Sequence, residues 1–229
     1  WQADRQKEAI KIYGTADRNH PGTDYLFSGG GDYYLGGALE VISTPLHFDF
    51  KQLRMTPAEI RASFKKLSWK RMAGFLTHNP IHRPQFEMTI NAMQQARTNL
   101  LLLPIAGMTR PGDFDHFTRV RCYRHVVRHY PPDSHILSML PLAMRMSGPR
   151  EALLHAIIAK NYGCTHFITG RDHAGPGPDN NGQPYYESNE ASKLTETHSQ
   201  EIGLTVVPFT EMVYLPFEDE FRSADQVPE

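Results

Sequence analysis

From residue 70 onward the chain keeps one beat, in which short apolar runs alternate with longer amphipathic stretches, and this beat limits the folds open to it. The runs at 70–76, 100–104, 135–140, 164–169 and 204–208 read as strands, and the stretches at 83–97, 114–129, 149–162 and 189–202 read as helices. Strands separated by helices cannot pair as hairpins. They pair in parallel, with each crossover covering a sheet face. The pattern predicts an α/β fold with a doubly wound, Rossmann-like parallel sheet.

Single helices carry the same signal. In P-R-E-A-L-L-H-A-I-I-A-K-N-Y-G, Pro149 suits a first turn and Gly163 a C-terminal cap, while Ala152, Leu153, Ala156, Ile157 and Lys160 recur at helical spacing. Thr56-Pro57 predicts an N-cap for a helix at 58–67. Before it, 2–13 reads as a helix and 38–44 (A-L-E-V-I-S-T) alternates like a strand. Residues 15–37 are rich in turn formers and read as hairpin turns, because their glycines do not fit G-x-G-x-x-G and no helical pattern follows.

In such a sheet, ligands sit beyond the carboxyl ends of the strands. Four segments occupy that position: 78–82, 105–113, 141–149 and 170–177. Three carry an arginine (Arg110, Arg145, Arg171) and the fourth carries His78 and His82. Two of the loops, T-H-N-P-I-H from Thr77 and G-R-D-H-A-G-P-G from Gly170, combine cations or imidazoles with backbone N–H donors at a helix start, and the second adds glycines that admit close approach. That combination suits phosphate or another oxyanion.

Composition excludes other classes. With 40% apolar and 21% charged residues and a formal net charge of -1, nothing marks the chain for nucleic acid or a membrane surface. Cys122 and Cys164 form no CxxC pattern and read as buried free thiols in a reducing compartment. No apolar run reaches the length of a membrane span and no leader pattern is present, so cytoplasmic residence is expected. A chain that opens at Trp1, directly into a helical pattern, reads as a portion of a longer protein.

Ordered motifs then resemble one family. They are Y-G-T-A-D-R-N-H-P-G from Tyr13, G-G-D-Y-Y-L-G-G from Gly30, W-K-R from Trp69, T-R-P-G-D from Thr109, R-V-R-C-Y from Arg119, M-R-M-S-G-P-R-E-A from Met144, and G-R-D-H-A-G-P-G. Together they resemble ATP sulfurylase (sulfate adenylyltransferase), of the nucleotidyltransferase type of Rossmann-like fold. The resemblance implies part of a PUA-like, β-rich domain at 1–60, a catalytic domain at 61–215, and a linker toward a further domain at 216–229. It implies attack of a sulfate oxygen on the α-phosphorus of ATP, giving adenosine 5′-phosphosulfate and pyrophosphate. Mg2+ is expected to arrive with ATP, and family members commonly form homo-oligomers.

The family's catalytic loop reads Q-T-R-N-P-x-H-x-x-H, where this chain has Leu76, Thr77, His78, Asn79, Pro80, Ile81, His82 and, at the last position, Gln85. By the resemblance Thr77, His78, Asn79 and His82 are catalytic. Leu76 stands where glutamine donates to sulfate, His78 where arginine clamps it, and Gln85 where a second histidine holds phosphate. Asn79 and His82 address the α- and β-phosphates. Arg171 and the backbone of Ala174 complete the sulfate site, Gly170, Asp172 and His173 shape the nucleotide pocket, and Val213 lines the adenine. Three readings stay open: a sulfate adenylyltransferase, an adenylyltransferase for a different oxyanion, and a nucleotide-binding module without catalysis.

Other residues read more plainly. His78 and His82 are four apart but have no third ligand at suitable spacing, so no metal is assigned to them. His125 and His129 read as a solvated helix face, His155 as a satisfied core or domain-contact histidine, and Asp172 as a brace of its loop. Arg145 and Arg150 either reach phosphate or cap the sheet edge.

Overall fold

The structure, a computed structural model, describes residues 1–2, 4–108 and 112–227. Among these, five strands form one parallel sheet: β1 (Met72–Thr77), β2 (Asn99–Pro104), β3 (His135–Leu137), β4 (His166–Ile168) and β5 (Thr205–Val207), in the order β3-β2-β1-β4-β5. Successive side chains of a strand point to opposite faces. In β2, Leu101 and Leu103 accordingly pack with Ile60, Phe64, Ala156 and Phe167, while Leu100 and Leu102 pack with Phe75, Met88, Ala92 and Tyr123. The sheet thus has a core on each face, and its central strands β1 and β2 are buried almost throughout.

Eight helices accompany the sheet among the described residues: α1 (Arg5–Tyr13), α2 (Pro21–Ser28), α3 (Pro57–Lys66), α4 (Arg83–Ala96), α5 (His116–Val126), α6 (Pro149–Asn161), α7 (Glu190–Thr197) and α8 (Ser199–Ile202). Thr56 and Glu59 close a capping box at the start of α3. None of the described helices is long and apolar enough to cross a membrane. Helix α6 lies against β1 because Gly74 has no side chain there: a Cβ would stand 2.9 Å from Ala159 Cβ and 3.1 Å from Cys164 Sγ. Burial pushes the Cys164 thiol up to about 12, whereas Cys122, expected to be buried, is only half-buried.

The sheet matches the expected beat, with ends trimmed. The expected strands at 135–140 and 164–169 contract to β3 and β4, the helix at 114–129 finishes in a 3-10 turn, and that at 189–202 breaks at His198 into α7 and α8. The first fifty residues differ more. Within 15–37 the hairpin reading fails, because 21–28 form α2. His20 caps it, its Nδ1 accepting from the N–H groups of Gly22 (3.1 Å) and Thr23 (3.3 Å), and Pro21 starts the helix. Residues 38–44 form no strand. Leu39, Val41 and Ile42 stand exposed, and an alternating segment without a partner strand has no ladder to join. A hairpin, β6 (Met212–Leu215) with β7 (Glu220–Ser223), occupies part of the segment read as a linker.

Strands β2 and β3 lie on one side of β1, and β4 and β5 on the other. The order reverses between β1 and β4, so the loops leaving these two strands diverge and open a crevice. Replacing Gly74→Ala drives a methyl into α6 and lowers stability by about 1–3 kcal/mol, measured as a shift in the denaturant midpoint at unchanged slope.

Candidate active site at the switch point

The loop leaving β1 is shaped by its own backbone and held from below by α5. Thr77 Oγ1 accepts the Asn79 N–H (3.2 Å), a tight turn that ends the strand. The buried Arg119 donates through Nη1 to the carbonyls of His78 (2.8 Å) and Ile105 (2.9 Å), and the Tyr123 hydroxyl donates to the Asn79 carbonyl (2.6 Å). Arg119 and Tyr123 are one helical turn apart, so a single helix face supports the loop. Burial lowers the Arg119 pKa and raises that of Tyr123. The sequence reading assigned neither residue a role. An arginine and a tyrosine sharing the buried face of α5, within R-V-R-C-Y, were the available signal.

His82 is the N-cap residue of α4 and offers no side-chain cap, so its imidazole is left to the crevice beside the positive end of the helix. His78 Nε2 lies 3.9 Å from the buried Asp113 carboxylate, a pairing that is ionic only when the ring is protonated. Gln85 Oε1 is buried with no hydrogen-bond partner.

The loop leaving β4 turns back on itself. The Gly170 N–H donates to His173 Nδ1 (3.2 Å), the Gly175 N–H to the Asp172 carbonyl (3.1 Å), and the Gly148 N–H to the Ala174 carbonyl (3.1 Å). Asp172 therefore braces the loop through its backbone, while its side chain is exposed. Ala174 takes φ 55, a left-handed conformation that costs a non-glycine residue energy and persists only when its surroundings hold it. Behind the loop, His173 Nε2 lies 2.8 Å from His155 Nδ1. Burial lowers the pKa of both rings, that of His173 to about 4. His155 is buried as expected but not satisfied, because its Nε2 has no hydrogen-bond partner.

The two loops enclose one cavity of 370 Å³. Leu76, Thr77, His78, Asn79, His82, Gln85, Gly170, Arg171, Asp172, His173 and Ala174 all line it. Val213 does not. Met212 takes that wall, because the period of β6 turns Val213 to the other side, where it pairs with Arg222 on β7. Arg145 and Arg150 also stay off the lining; the Arg145 guanidinium sits over the Tyr25 ring, 5.7 Å from its centroid. Arg110 and the rest of T-R-P lie outside the described residues.

Among the described lining residues Arg171 alone bears a permanent positive charge, and it is already engaged. Its guanidinium lies 3.5 Å from Glu211 and 3.7 Å from Asp172 and covers the Phe209 ring. These contacts are exposed and weak. The imidazoles of His78, His82, His155 and His173 make up the other basic groups. A cavity with one guanidinium in exposed contacts, imidazoles, a helix N-terminus and turn amides has the chemistry of an anion site. His125 and His129 face solvent on α5 and the turn that follows it.

Comparison with known proteins bears on this site. The ATP-sulfurylase family model matches residues 51–229 and a PUA-like domain model matches residues 1–44. The chain is 50% identical to a sulfate adenylyltransferase of Schizosaccharomyces pombe, covering 98% of this chain and 46% of that protein. It is 48% identical to that of Saccharomyces cerevisiae, over 96% of this chain and 43% of the relative. The chain thus spans less than half the length of these curated relatives. A solved structure titled hexameric APS kinase from Thiobacillus denitrificans aligns with a TM-score of 0.65 at 29% identity, covering 81% of this chain and 34% of that one.

Two outcomes follow from the geometry. Arg119→Met strips two carbonyls of their donor and costs about 3 kcal/mol of unfolding free energy, read from denaturant titration. Because His155 and His173 titrate lower in the folded chain than at the ordinary 6.5, below that pH the unfolded chain takes up protons that the folded chain refuses. The contribution of His173 is therefore lost as pH falls from about 6.5 toward about 4, that of His155 is lost in the same direction below 6.5, and Glu151, whose pKa burial raises, acts in the opposite sense. Denaturant midpoints measured across this window check the slope.

Proposed function

Because the chain belongs to the ATP-sulfurylase family, we propose that the cavity between the β1 and β4 loops binds ATP with an oxyanion and transfers the adenylyl group to sulfate, releasing pyrophosphate. The observation that carries this reading is the meeting of both anion-type loops on one 370 Å³ cavity. A sulfate oxygen attacks the α-phosphorus while the bond from that phosphorus to the bridging oxygen of pyrophosphate breaks in line. Sulfate is already an anion, so the step needs no general base. The work is to hold two anions together and stabilise the charge that grows on the leaving group.

In this reading His82, Asn79 and the α4 N-terminus address the phosphates, and Arg171 leaves Glu211 to meet sulfate beside the backbone of Ala174. His78, protonated by the anions around it, takes the part of a guanidinium. Met212 rather than Val213 flanks the base. Gly170, Asp172 and His173 shape the nucleotide pocket, and Gln85 offers an amide toward phosphate. Mg2+ comes as part of the nucleotide substrate, as ATP ordinarily carries it, and no step rests on it. Catalysis falls within 61–215, and the chain acts in a reducing compartment such as the cytoplasm, as a homo-oligomer.

A second reading has its own observation. Leu76, buried at the cavity wall, offers an apolar surface and no donor, which suits an oxyanion bearing an organic group. ATP–pyrophosphate exchange run with sulfate, and separately with organic sulfonates and phosphonates, decides between them. Sulfate-dependent exchange supports the first reading and exchange with organic anions alone the second. Nucleotide binding with no exchange leaves a binding module.

The double change His78→Arg with Leu76→Gln raises sulfate-dependent exchange by about 10-fold or more; no gain counts against a sulfate pocket. Glu211→Gln releases Arg171 and tightens ATP binding by about 2- to 5-fold, measured by calorimetry.

A further inference from the structure

Behind the β4 loop lies a chain of buried groups that no step of the proposed reaction uses. Glu151, in the first turn of α6, turns its carboxylate back to accept the N–H groups of Arg145 (2.8 Å) and Ser147 (3.1 Å). His155, one turn further along α6, is 1% exposed, and its Nε2 stands 3.7 Å from that carboxylate. His173 Nε2 is 2.8 Å from His155 Nδ1, and His173 Nδ1 accepts the Gly170 N–H.

One backbone amide fixes the proton of each ring. A backbone N–H can only donate, so His173 Nδ1 must carry a lone pair and the ring proton sits on Nε2. That proton is donated to His155, so His155 Nδ1 is unprotonated and its own proton sits on Nε2, which makes no hydrogen bond and lies 3.7 Å from the Glu151 carboxylate. Protonating His173 fully would place a hydrogen between Nδ1 and the Gly170 amide and break the contact that closes the loop. The depressed pKa of both rings agrees with this assignment. The other titratable or charged groups acting on the chain are His78 from the β1 loop, with Arg145, Tyr13 and Tyr186 near Glu151.

We propose that Glu151, His155 and His173 are positioning residues: the His173–His155 hydrogen bond, with the Glu151 carboxylate beside its buried end, sets the tautomer of His173 and thereby locks the 170–174 loop in the form that presents its backbone to an anion. The left-handed Ala174 gives the chain its purpose, since that backbone persists only while its neighbours hold it. The inference deepens the proposed function and rests on it only in taking the cavity as an anion site.

The test joins ring-nitrogen NMR of the native chain with binding of inorganic pyrophosphate to folded variants. Native His155 and His173 are expected to be neutral and protonated at Nε2. His155→Leu removes the acceptor. It is expected to alter the His173 signature, speed hydrogen exchange of the Gly170 amide and weaken pyrophosphate binding, the latter two by about 10-fold each. In His155→Asn the Oδ1 replaces the lost Nδ1 acceptor and restores binding to within about 2-fold. A native His173 protonated at Nδ1 overturns the proposal, as does a folded His155→Leu chain that binds pyrophosphate like the native one. Should His155→Leu not fold, the native ring signatures and the His155→Asn affinity decide. If the native chain binds no pyrophosphate, the anion reading of the cavity falls, and Gly170 exchange in His155→Leu then judges the lock alone: acceleration upholds it and native-like exchange overturns it.

Discussion

Parallel pairing of β1 with β4 is the constraint from which the site follows. The two strands lie side by side at the centre of the sheet, yet their crossovers leave in opposite directions, so no connection fills the space above their carboxyl ends. What fills it is two turns of quite different chemistry. One is closed by a threonine hydroxyl and a buried arginine, the other by a histidine and a strained alanine. Sequence distance between them is large. The sheet removes it.

The parallel architecture was legible because its signal is redundant: short apolar runs such as the four leucines of β2 alternate with longer helical stretches, and caps such as Thr56-Pro57 mark the boundaries. The loops were legible because residue type and position agreed. Where structure depends on a distant partner, legibility ended. Residues 38–44 alternate like a strand but find no neighbour, and α2 starts on a histidine cap that outweighs the turn-forming composition around it. Val213 and Met212 differ by one residue in a short strand, and only the register of β6 against β7 says which faces the cavity. Glu211 and His155 matter through contacts that no local pattern announces.

The cavity differs in kind from a site built on fixed cations. Its permanent charge is small: the guanidinium of Arg171 is shared with carboxylates, and of the four imidazoles on its wall burial holds His155 and His173 toward the neutral form. Such a site is inexpensive to keep folded when empty, since buried fixed charges carry a desolvation cost.

Arg119 and Tyr123 carry one further consequence. They tie the β1 lip of the crevice to a packed helix through two short bonds, to the carbonyls of His78 and Asn79, and the facing lip is held at its backbone by the Gly148 and Gly170 amides. What stays loosely held on that side is the Arg171 guanidinium, which rests on solvent-exposed ion pairs. Under the proposed function, adjustment to a ligand therefore falls to that one side chain, while both lips keep their backbone shape.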